Sequence, residues 1–399
     1  MFDWINNLSP QTQFVFFTLL KIACVLGPLL TLVAYAVLAE RKVSALIQDR
    51  VGPNRVNLPL VGSIPVLGPF LTKLGIWHPL VDGVKSFIKE DFTPAHVRKI
   101  YFWLAPAISL VPAFLVVAVI PFGSTLGAQK MVIADLNVGI LYTFGIVSLG
   151  VYGIVLAGYA ANSKFPFLGG IRASAQMISY EIAMGMSVIP VFLVVGDLNL
   201  GKIIEHQAQN GWNVCPINLS KVFYNLSRSD WNIVSGLSNG LSAEQLLLIP
   251  CGVISFVIFF ISALAETNRL PFDMAESESE LVSGYHTEYS SMKFGMFFIG
   301  EYANMFAGAA MMTTLFLGGW TLPFLGLDQP ADSILMGLAH IGVFMGKMLG
   351  FMFIFMWIRW MLPRFRYDQL MDLGWRRMIP LALANIILTA GVLALTSGK

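Results

Sequence analysis

Long apolar runs separated by polar segments dominate the pattern along this chain. Eight runs reach the length that an α-helix needs to cross a bilayer core of about 30 Å. None of them alternates polar and apolar residues as a membrane β-strand does. The runs predict eight transmembrane helices, at about residues 14–39, 101–122, 139–160, 175–195, 246–264, 294–317, 335–362 and 378–395.

The composition leads to the same conclusion. Of the 399 residues, 56% are hydrophobic and only 12% are charged, and the mean hydropathy is +0.71. A soluble domain typically has about 25% charged residues. The sequence therefore predicts an all-α polytopic membrane protein, with residues 1–399 in a single integral membrane domain. The net charge of +2 is too small to suggest a nucleic-acid partner.

Lys and Arg residues are distributed unevenly between the two sets of loops. The odd-numbered loops and their borders contain 18 of them, and the opposite side contains five. Basic residues concentrate on the cytoplasmic side of membrane proteins. The odd-numbered loops are therefore predicted to face the cytoplasm or an organelle matrix. Both termini and a long polar loop at residues 196–245 are predicted on the outer side.

The first inner loop has a different pattern. Within Pro79–Lys89, the apolar residues Leu80, Val84 and Phe87 share one side, and the charged residues lie elsewhere. This spacing predicts an amphipathic helix that lies in the membrane interface.

One segment contains a large share of the few carboxylates. Residues 266–301 hold seven of the 23 acidic residues. If the acidic inner loop at residues 266–293 is helical, Glu276, Glu280 and Glu288 share one face. Like charges at that spacing repel, so some should share protons and have raised pKa values. The seven residues are Glu266, Asp273, Glu276, Glu278, Glu280, Glu288 and Glu301.

Two interpretations of this segment are open. It is either an ordinary solvated loop or a route for protons. Apolar residues are interleaved with the acids, and Glu266 and Glu301 lie within apolar runs. A carboxylate in the hydrocarbon core costs about 2.5–3.5 kcal/mol and usually marks an ion or proton route. These two features favour the second interpretation.

Other charged residues within the spans are few. Arg172, Gln176 and Tyr180 form one helical stripe, and Glu181 lies one position away from it, so Arg172 is a loose partner for Glu181 at best. Lys347 lies in a row of glycines spaced four residues apart, which lets two helices approach closely. Its ammonium needs an acid, a carbonyl oxygen or water as a partner.

Span 1 has charged residues near both ends. Lys21 can extend its amine to the outer interface if the span begins near it. Glu40, Arg41 and Lys42 end the span at the inner interface, where a charged anchor and a functional site explain the sequence equally well.

No motif for a metal or a nucleotide is recognisable. The five histidines have no HxxH or HxxxH spacing, the three cysteines are far apart, and no P-loop or GxGxxG occurs. The sequence therefore predicts no metal site, bound flavin or iron–sulfur cluster in this chain.

Four blocks of sequence resemble the inner loops of one family, the H subunits of the proton-pumping NADH–quinone oxidoreductase (respiratory complex I), whose mitochondrial counterpart is subunit one. All four lie in the inner loops that the charge count indicates independently. They are AERKV to RVGPNRV (39–56) with DGVK (82–85), SKFPFLGGIR to AQMISYE (163–181), ETNRLPFD to ELVSGYHTEY (266–289), and PRFRYDQLM with LGW (363–375).

The resemblance implies a function. Members of the family form most of the tunnel by which ubiquinone or menaquinone, the substrate, reaches the last iron–sulfur cluster, and an acidic funnel that couples quinone reduction to proton pumping. On matching positions, the tunnel would include Glu40, Arg41, Asp82, Arg172, Arg269 and Asp273. The proton pathway would include Glu181, Glu266, Glu276, Glu278, Glu280 and Glu288.

The resemblance also implies partners and a location. The cluster and the headgroup-binding residues belong to peripheral-arm subunits, so no active site is complete in this chain. Small membrane-arm subunits and the lipid bilayer are further partners. The expected location is the bacterial inner membrane or the mitochondrial inner membrane.

Two other functions are compatible with parts of the sequence. Energy-converting hydrogenase-type complexes have homologous membrane subunits, but the GPNRV and YDQLM blocks favour the quinone enzyme. A stand-alone secondary transporter often has repeated halves around a midplane site. This chain has no detectable internal repeat, and its acids cluster near one side.

Overall fold

The computed structural model describes residues 9–56, 67–127, 129–217, 243–323 and 326–397. These residues are mostly helical, which confirms the predicted class of an all-α polytopic membrane protein. Among them, the only strands are β1 (Thr125–Leu126) and β2 (Gln129–Lys130), which pair antiparallel with Thr125 opposite Lys130.

The helices are numbered in chain order. They are α1 (Pro10–Ile47), α2 (Leu67–Leu74), α3 (His78–Ile88), α4 (Lys99–Val117), α5 (Gly139–Ala160), α6 (Lys164–Val195), α7 (Leu200–Asn210), α8 (Ala243–Glu266), α9 (Glu278–Leu281), α10 (Ser291–Phe316), α11 (Ile334–Met361), α12 (Tyr367–Asp372) and α13 (Ile379–Ser397). A 3₁₀ turn at Gly284–His286 precedes α10, and a π-helical turn at Leu373–Met378 joins α12 to α13.

Seven helical stretches in the described part of the chain are long and apolar enough to cross a membrane. They are α1, α4, α5, α6, α8, α11 and the continuous stretch from α12 through α13. Helix α10 is not among them, and it contains the charged residues Lys293 and Glu301.

Helix α10 lies at the centre of the bundle. It packs against α1, α4, α8 and α11, and Ala303, Ala307 and Ala310 are among its buried residues. Small side chains allow neighbouring helices to approach closely. A small residue also lets α4 and α5 approach closely. A side chain at Gly153 would come within 2.6 Å of the Ser109 backbone nitrogen.

Several helices extend beyond the apolar runs. Helix α6 begins at Lys164, so most of the inner block at residues 163–172 is helical. Residues 196–245, which the sequence predicts to be an outer loop, include helix α7, whose Leu200, Ile203 and Ile204 are buried. Hydropathy marks the stretch that fits in hydrocarbon, whereas backbone hydrogen bonds continue a helix past it.

A helix also forms where the sequence predicts an amphipathic one. Helix α3 has no buried residues, and Leu80, Val84, Phe87 and Ile88 are all exposed. An apolar face left uncovered in this way marks a surface for a membrane or a partner.

Lys347 connects α11 to the end of α10. Its Nζ donates hydrogen bonds to the carbonyl oxygens of Leu317 (2.6 Å), Gly319 (3.0 Å) and Thr321 (2.6 Å). It also lies 4.5 Å from the ring centroid of Trp212. The carbonyls at a helix end have no partners within the helix. Of the three kinds of partner expected for Lys347, an acid, a carbonyl oxygen or water, the structure supplies carbonyl oxygens.

The glycines beside Lys347 face open space. No atom of the described chain lies within 4 Å of the positions that side chains would take at Gly342, Gly346 and Gly350. In the described part of the chain, no other helix packs against this row of glycines.

We predict that Lys347→Met lowers the stability of the protein. The change leaves three buried carbonyl groups without their shared donor, and a hydrogen bond to a charged group contributes about 1.5–3 kcal/mol. The measurement is the heat-unfolding midpoint of the purified complex, with Lys202→Met as control because Lys202 is exposed and its ion pair with Asp197 lies at the surface. Equal midpoints for the two variants would contradict this role.

Candidate functional site

The acidic inner segment between α8 and α10 does not form one helix. Only residues 278–281 and 284–286 are helical between Glu266 and Ser291. The hypothesis that Glu276, Glu280 and Glu288 share a helical face is therefore wrong. Three non-glycine residues, Asn268, Ser277 and Val282, have positive φ angles in this segment, and such angles interrupt an α-helix.

A glycine fixes the tightest turn of the segment. Gly284 has a φ of 59°, and a side chain there would come within 1.7 Å of the Ala275 carbonyl oxygen. Only glycine fits both the angle and the close approach.

The helical stripe on α6 anchors this segment. Gln176 Nε2 donates to the carbonyl oxygens of Ala265 at 2.6 Å and Phe272 at 2.7 Å. One turn further along, the Tyr180 hydroxyl donates to the Leu370 carbonyl at 2.9 Å. Two side chains of the stripe recognised in the sequence, those of Gln176 and Tyr180, therefore hold backbone carbonyl groups in position.

Arg269 is the buried centre of the segment, and its side chain is only 6% exposed. Its Nε is paired with Glu301, and its Nη1 lies 3.4 Å from both carboxylate oxygens of Glu40. The guanidinium lies 4.4 Å from the ring centroid of Tyr302. Burial disfavours the charged form, but Glu301 and Glu40 outweigh it, and the pKa of Arg269 is raised. Arg269 is therefore a permanent cation.

Glu40 joins helices α1, α10 and α11 to this centre. Its carboxylate accepts a hydrogen bond of 2.5 Å from the Tyr302 hydroxyl on α10 and is paired with Arg359 on α11. The Glu40 side chain is 8% exposed. We name the set of Arg269, Glu40, Glu301, Tyr302 and Arg359 the Arg269 cluster.

Two other candidate tunnel residues, Arg41 and Asp82, lie apart from the Arg269 cluster. Arg41 pairs with Asp82 on α3 at 2.7 Å, and both side chains are nearly half exposed. Successive residues on a helix point about 100° apart, so Glu40 can be buried while Arg41 faces outward. The structure brings Arg41 and Asp82 together and separates them from Glu40.

Asp273 lies in a buried ion pair beside this cluster. Its Oδ2 accepts a hydrogen bond of 2.6 Å from Arg364 Nη2, and its side chain is 10% exposed. Burial and the nearby charge of Glu276 raise the pKa of Asp273 to about 6, although Arg364 acts in the opposite direction. Asp273 can therefore exchange a proton near neutral pH.

Arg172 and Glu280 form a pair nearer the surface. Their atoms lie 2.6 Å apart, and the side chains are 31% and 53% exposed. The Arg172 guanidinium also lies 5.9 Å from the ring centroid of Tyr367. Arg172 is thus directed to the inner segment and not to Glu181.

Two other acids in the segment lie near histidines. Glu276 is 3.8 Å from His286, and Glu288 is 4.0 Å from His96. The side chain of the remaining candidate, Glu278, lies outside the described part of the chain.

Glu266 borders two small internal cavities of about 20 and 30 Å³. Thr267 and Asn304 also line both of them, and Glu276 and Glu301 line the first. A volume of about 10–15 Å³ or more accommodates a water molecule when polar partners are present. Each cavity can thus hold a water molecule in contact with Glu266.

Glu181 extends this arrangement along α6. Its carboxylate is close enough to Glu266 to interact electrostatically. The order Glu181, Glu266, Glu276 therefore follows a polar line from within the bundle to the inner segment.

Sequence reasoning left three members of the cluster out of the candidate site. Glu301 and Arg359 are charged residues in or at the border of apolar runs, so that signal could have identified them. Tyr302 had no signal, because nothing in the sequence places its hydroxyl beside Glu40. Among the described residues, no group of three or more His, Cys, Asp or Glu could hold a metal ion.

The sequence of this chain is similar to known proteins over most of its length. A family model described as NADH dehydrogenase matches residues 20–390. The NADH-quinone oxidoreductase H subunit numbered 1 of Cytophaga hutchinsonii is 44% identical over 373 residues, which cover 92% of this chain and 93% of that protein.

Two further relatives have names of the same kind. The NADH-quinone oxidoreductase H subunit of Rickettsia peacockii is 45% identical over 377 residues, or 94% of each chain. The H subunit numbered 2 of Koribacter versatilis is 42% identical over 397 residues, which cover 96% of this chain and 98% of that protein. This chain therefore belongs to the NADH dehydrogenase family, together with the H subunits of NADH-quinone oxidoreductase.

Proposed function

We propose that this chain, as a membrane subunit of the proton-translocating NADH-quinone oxidoreductase, forms the quinone access tunnel and an acidic route that couples quinone reduction to proton pumping. The tunnel residues are Glu40, Arg41, Asp82, Arg172, Arg269 and Asp273. The proton-pathway residues are Glu181, Glu266, Glu276, Glu278, Glu280 and Glu288, to which we add Glu301.

The observation that carries this proposal is the position of the Arg269 cluster beside one of the two cavities at Glu266. Arg269 pairs with Glu301, and Glu301 lines the cavity that it shares with Glu266 and Glu276. A change of charge near the cluster therefore acts directly on carboxyl groups that water can connect. In a buried site, electrostatic interactions of this kind are several times stronger than in water.

The chemistry of the quinone makes this arrangement useful. Quinone reduction adds negative charge to the headgroup, and protons must follow it. Coupled carboxyl groups respond to such a charge by taking up or releasing protons. Asp273 and Glu276 are placed to respond first, and Glu266 and Glu181 continue the route towards the interior of the bundle.

Several finer features of the membrane arrangement belong to the same proposal. Helix α10 is the eighth span, because its length of 26 residues suffices to cross the bilayer and its charges are enclosed by other helices. The connections after the first, third, fifth and seventh predicted spans face inward, and both termini face outward. Residues 196–245 form the long outward-facing connection, and residues 266–293 form the acidic inward-facing one.

The inner loops provide a surface for the peripheral-arm subunits that hold the terminal iron–sulfur cluster and bind the headgroup. An open pocket of about 430 Å³ on this side is lined by Arg41, Arg50, Arg55 and His78. Small membrane-arm subunits and lipid cover the exposed apolar faces of the spans. The location is the bacterial inner membrane or its mitochondrial counterpart.

We predict that Glu266→Gln retains assembly but lowers quinone-linked turnover and proton pumping to about a hundredth, the low end of what a positioned proton-transfer group contributes. The amide occupies the same space but cannot carry a proton as a carboxyl does. The measurement is NADH oxidation with quinone and with a water-soluble acceptor that bypasses the quinone site, together with proton uptake into vesicles. Only the quinone-linked activities should fall.

The matched control is Glu205→Gln, an exposed glutamate on α7. It should leave all three activities unchanged. Near-normal coupled activity in Glu266→Gln would remove Glu266 from the pathway.

We predict that Arg269→Gln sharply reduces the amount of this protein that assembles. Removing one partner of a buried ion pair costs about 3–5 kcal/mol, because the carboxylates of Glu40 and Glu301 lose a cation. The measurement is the amount of this chain in membranes and in the purified complex. Arg376→Gln is the control, because Arg376 is 83% exposed. Normal assembly of Arg269→Gln would show that the cluster does not hold the helices together.

We predict that Asp273→Asn removes a pH-dependent part of the stability. The folded protein keeps the Asp273 proton up to a pH of about 6, whereas the unfolded chain releases it near its ordinary pKa of about 4. The stabilising contribution is therefore complete below pH about 4 and is lost as the pH rises through about 6. Heat-unfolding midpoints of the wild-type and variant complexes, measured from pH about 5 to about 7, should show the wild type falling more.

The control for this titration is Asp197→Asn, because the hydrogen bond from Lys202 holds the pKa of Asp197 below its usual value. Asp197 is therefore ionised throughout this range, and its replacement should not change the pH dependence. A difference between wild type and Asp273→Asn that stays constant over this pH range would contradict the assignment.

A further inference from the structure

A separate cavity lies at the opposite end of the bundle from the acidic inner segment. It has a volume of about 370 Å³ and lies between α1, α4, α10 and α11, beside the β1–β2 hairpin. Its size falls within the range of about 300–1,000 Å³ that is typical of small-molecule sites. None of its lining residues lines the two cavities at Glu266, so it is independent of the proposed proton pathway.

The walls of this cavity are polar at one end and apolar beyond it. Lys21, Gln129 and Lys130 line the end near the start of α1 and the hairpin. The remaining wall is formed almost entirely by aliphatic, aromatic and methionine side chains, and it reaches Leu32 on α1 and Met348 on α11. A ligand with a polar head and an apolar chain fits this distribution.

The length of the cavity matches one leaflet of a bilayer. From Lys21 to Leu32, α1 rises about 16 Å, at about 1.5 Å per residue. Half of the hydrocarbon thickness of a bilayer is about 15 Å. An acyl chain that begins at the level of Lys21 can therefore extend along the whole apolar wall.

Lys21 is a charged group in this cavity to which the described part of the chain supplies no partner. Among the described residues, none forms a hydrogen bond or ion pair with its amine. Lys130, by contrast, is paired with Asp135 at 2.7 Å. A lysine within a span is unfavourable by about 2.5–3.5 kcal/mol unless its charge is compensated or reaches the interface. An anion at the polar end of the cavity would supply that compensation.

We propose that this cavity binds an anionic phospholipid, with its phosphate on Lys21 and one acyl chain along α1 and α11. Charge complementarity favours this occupant over a quinone, whose headgroup is neutral. It also favours an anionic lipid over a zwitterionic one. The lining contains no acidic residue to pair with a headgroup amine.

The test uses the purified complex in nanodiscs of phosphatidylcholine. The nanodiscs contain a small fraction of phosphatidylglycerol with a photoactivatable group on its acyl chain, and labelled peptides are quantified by mass spectrometry. We expect labelling of the peptides of α1 and α11 that line the cavity. Lys21→Gln should lower this labelling by about tenfold, as expected for the loss of one charge-assisted hydrogen bond.

Two variants show whether the labelling depends on the positive charge of Lys21, as opposed to altered folding or a lysine elsewhere on the surface. Lys21→Arg should retain the labelling, because it keeps the cation. Lys202→Gln, at an exposed lysine outside the cavity, should label as the wild type does. The wild-type complex provides a further comparison, in which a phosphatidylcholine probe with the same acyl chain should label these peptides much less.

Three results would overturn the proposal. The first is equal labelling of Lys21→Gln and the wild type. The second is equal labelling by the phosphatidylcholine probe. The third is loss of labelling when a short-chain quinone is added in excess, which would assign the cavity to the quinone.

Discussion

The inner end of this membrane bundle depends on one buried guanidinium, that of Arg269, held between Glu301 and Glu40. An isolated charge in this position would be strongly unfavourable, and only close pairing compensates for its removal from water. Because the partners lie on α1 and α10, and Arg359 on α11 shares Glu40, the pairing fixes three helices against the inner segment. The irregular path of that segment brings Arg269 to the one place where both carboxylates are available.

The same pairing explains how this region can respond to a reaction. Arg269 and Arg359 balance the charges of Glu40 and Glu301, so the cluster is close to neutral as a whole. On our proposal, negative charge on a nearby quinone disturbs this balance, and the adjacent carboxyl groups restore it by binding protons. Glu266 is suited to transmit the change, because it borders both cavities. Structural and functional roles thus rest on the same ion pairs.

The sequence predicts some features of this arrangement and not others. The spans are visible because hydrocarbon requires about 20 apolar residues in a row. The acidic segment is visible because carboxylates are rare elsewhere in the chain. The pairing of Arg269 with Glu40 is not visible, since the two residues are 229 positions apart and the contact exists only after the helices pack. The helical face assumed for the inner segment was wrong because left-handed residues and Gly284 turn the chain repeatedly.

The most direct test of the coupling mechanism is infrared difference spectroscopy of the purified complex as bound quinone is reduced. Protonation of a buried carboxyl group produces a carbonyl stretch that an ionised carboxylate lacks. We expect a reduction-induced carboxyl signal in the wild type and in the Glu205→Gln control, and its loss or marked decrease in Glu266→Gln. Identical difference spectra for all three proteins would contradict the proposal that quinone reduction changes the protonation of this row.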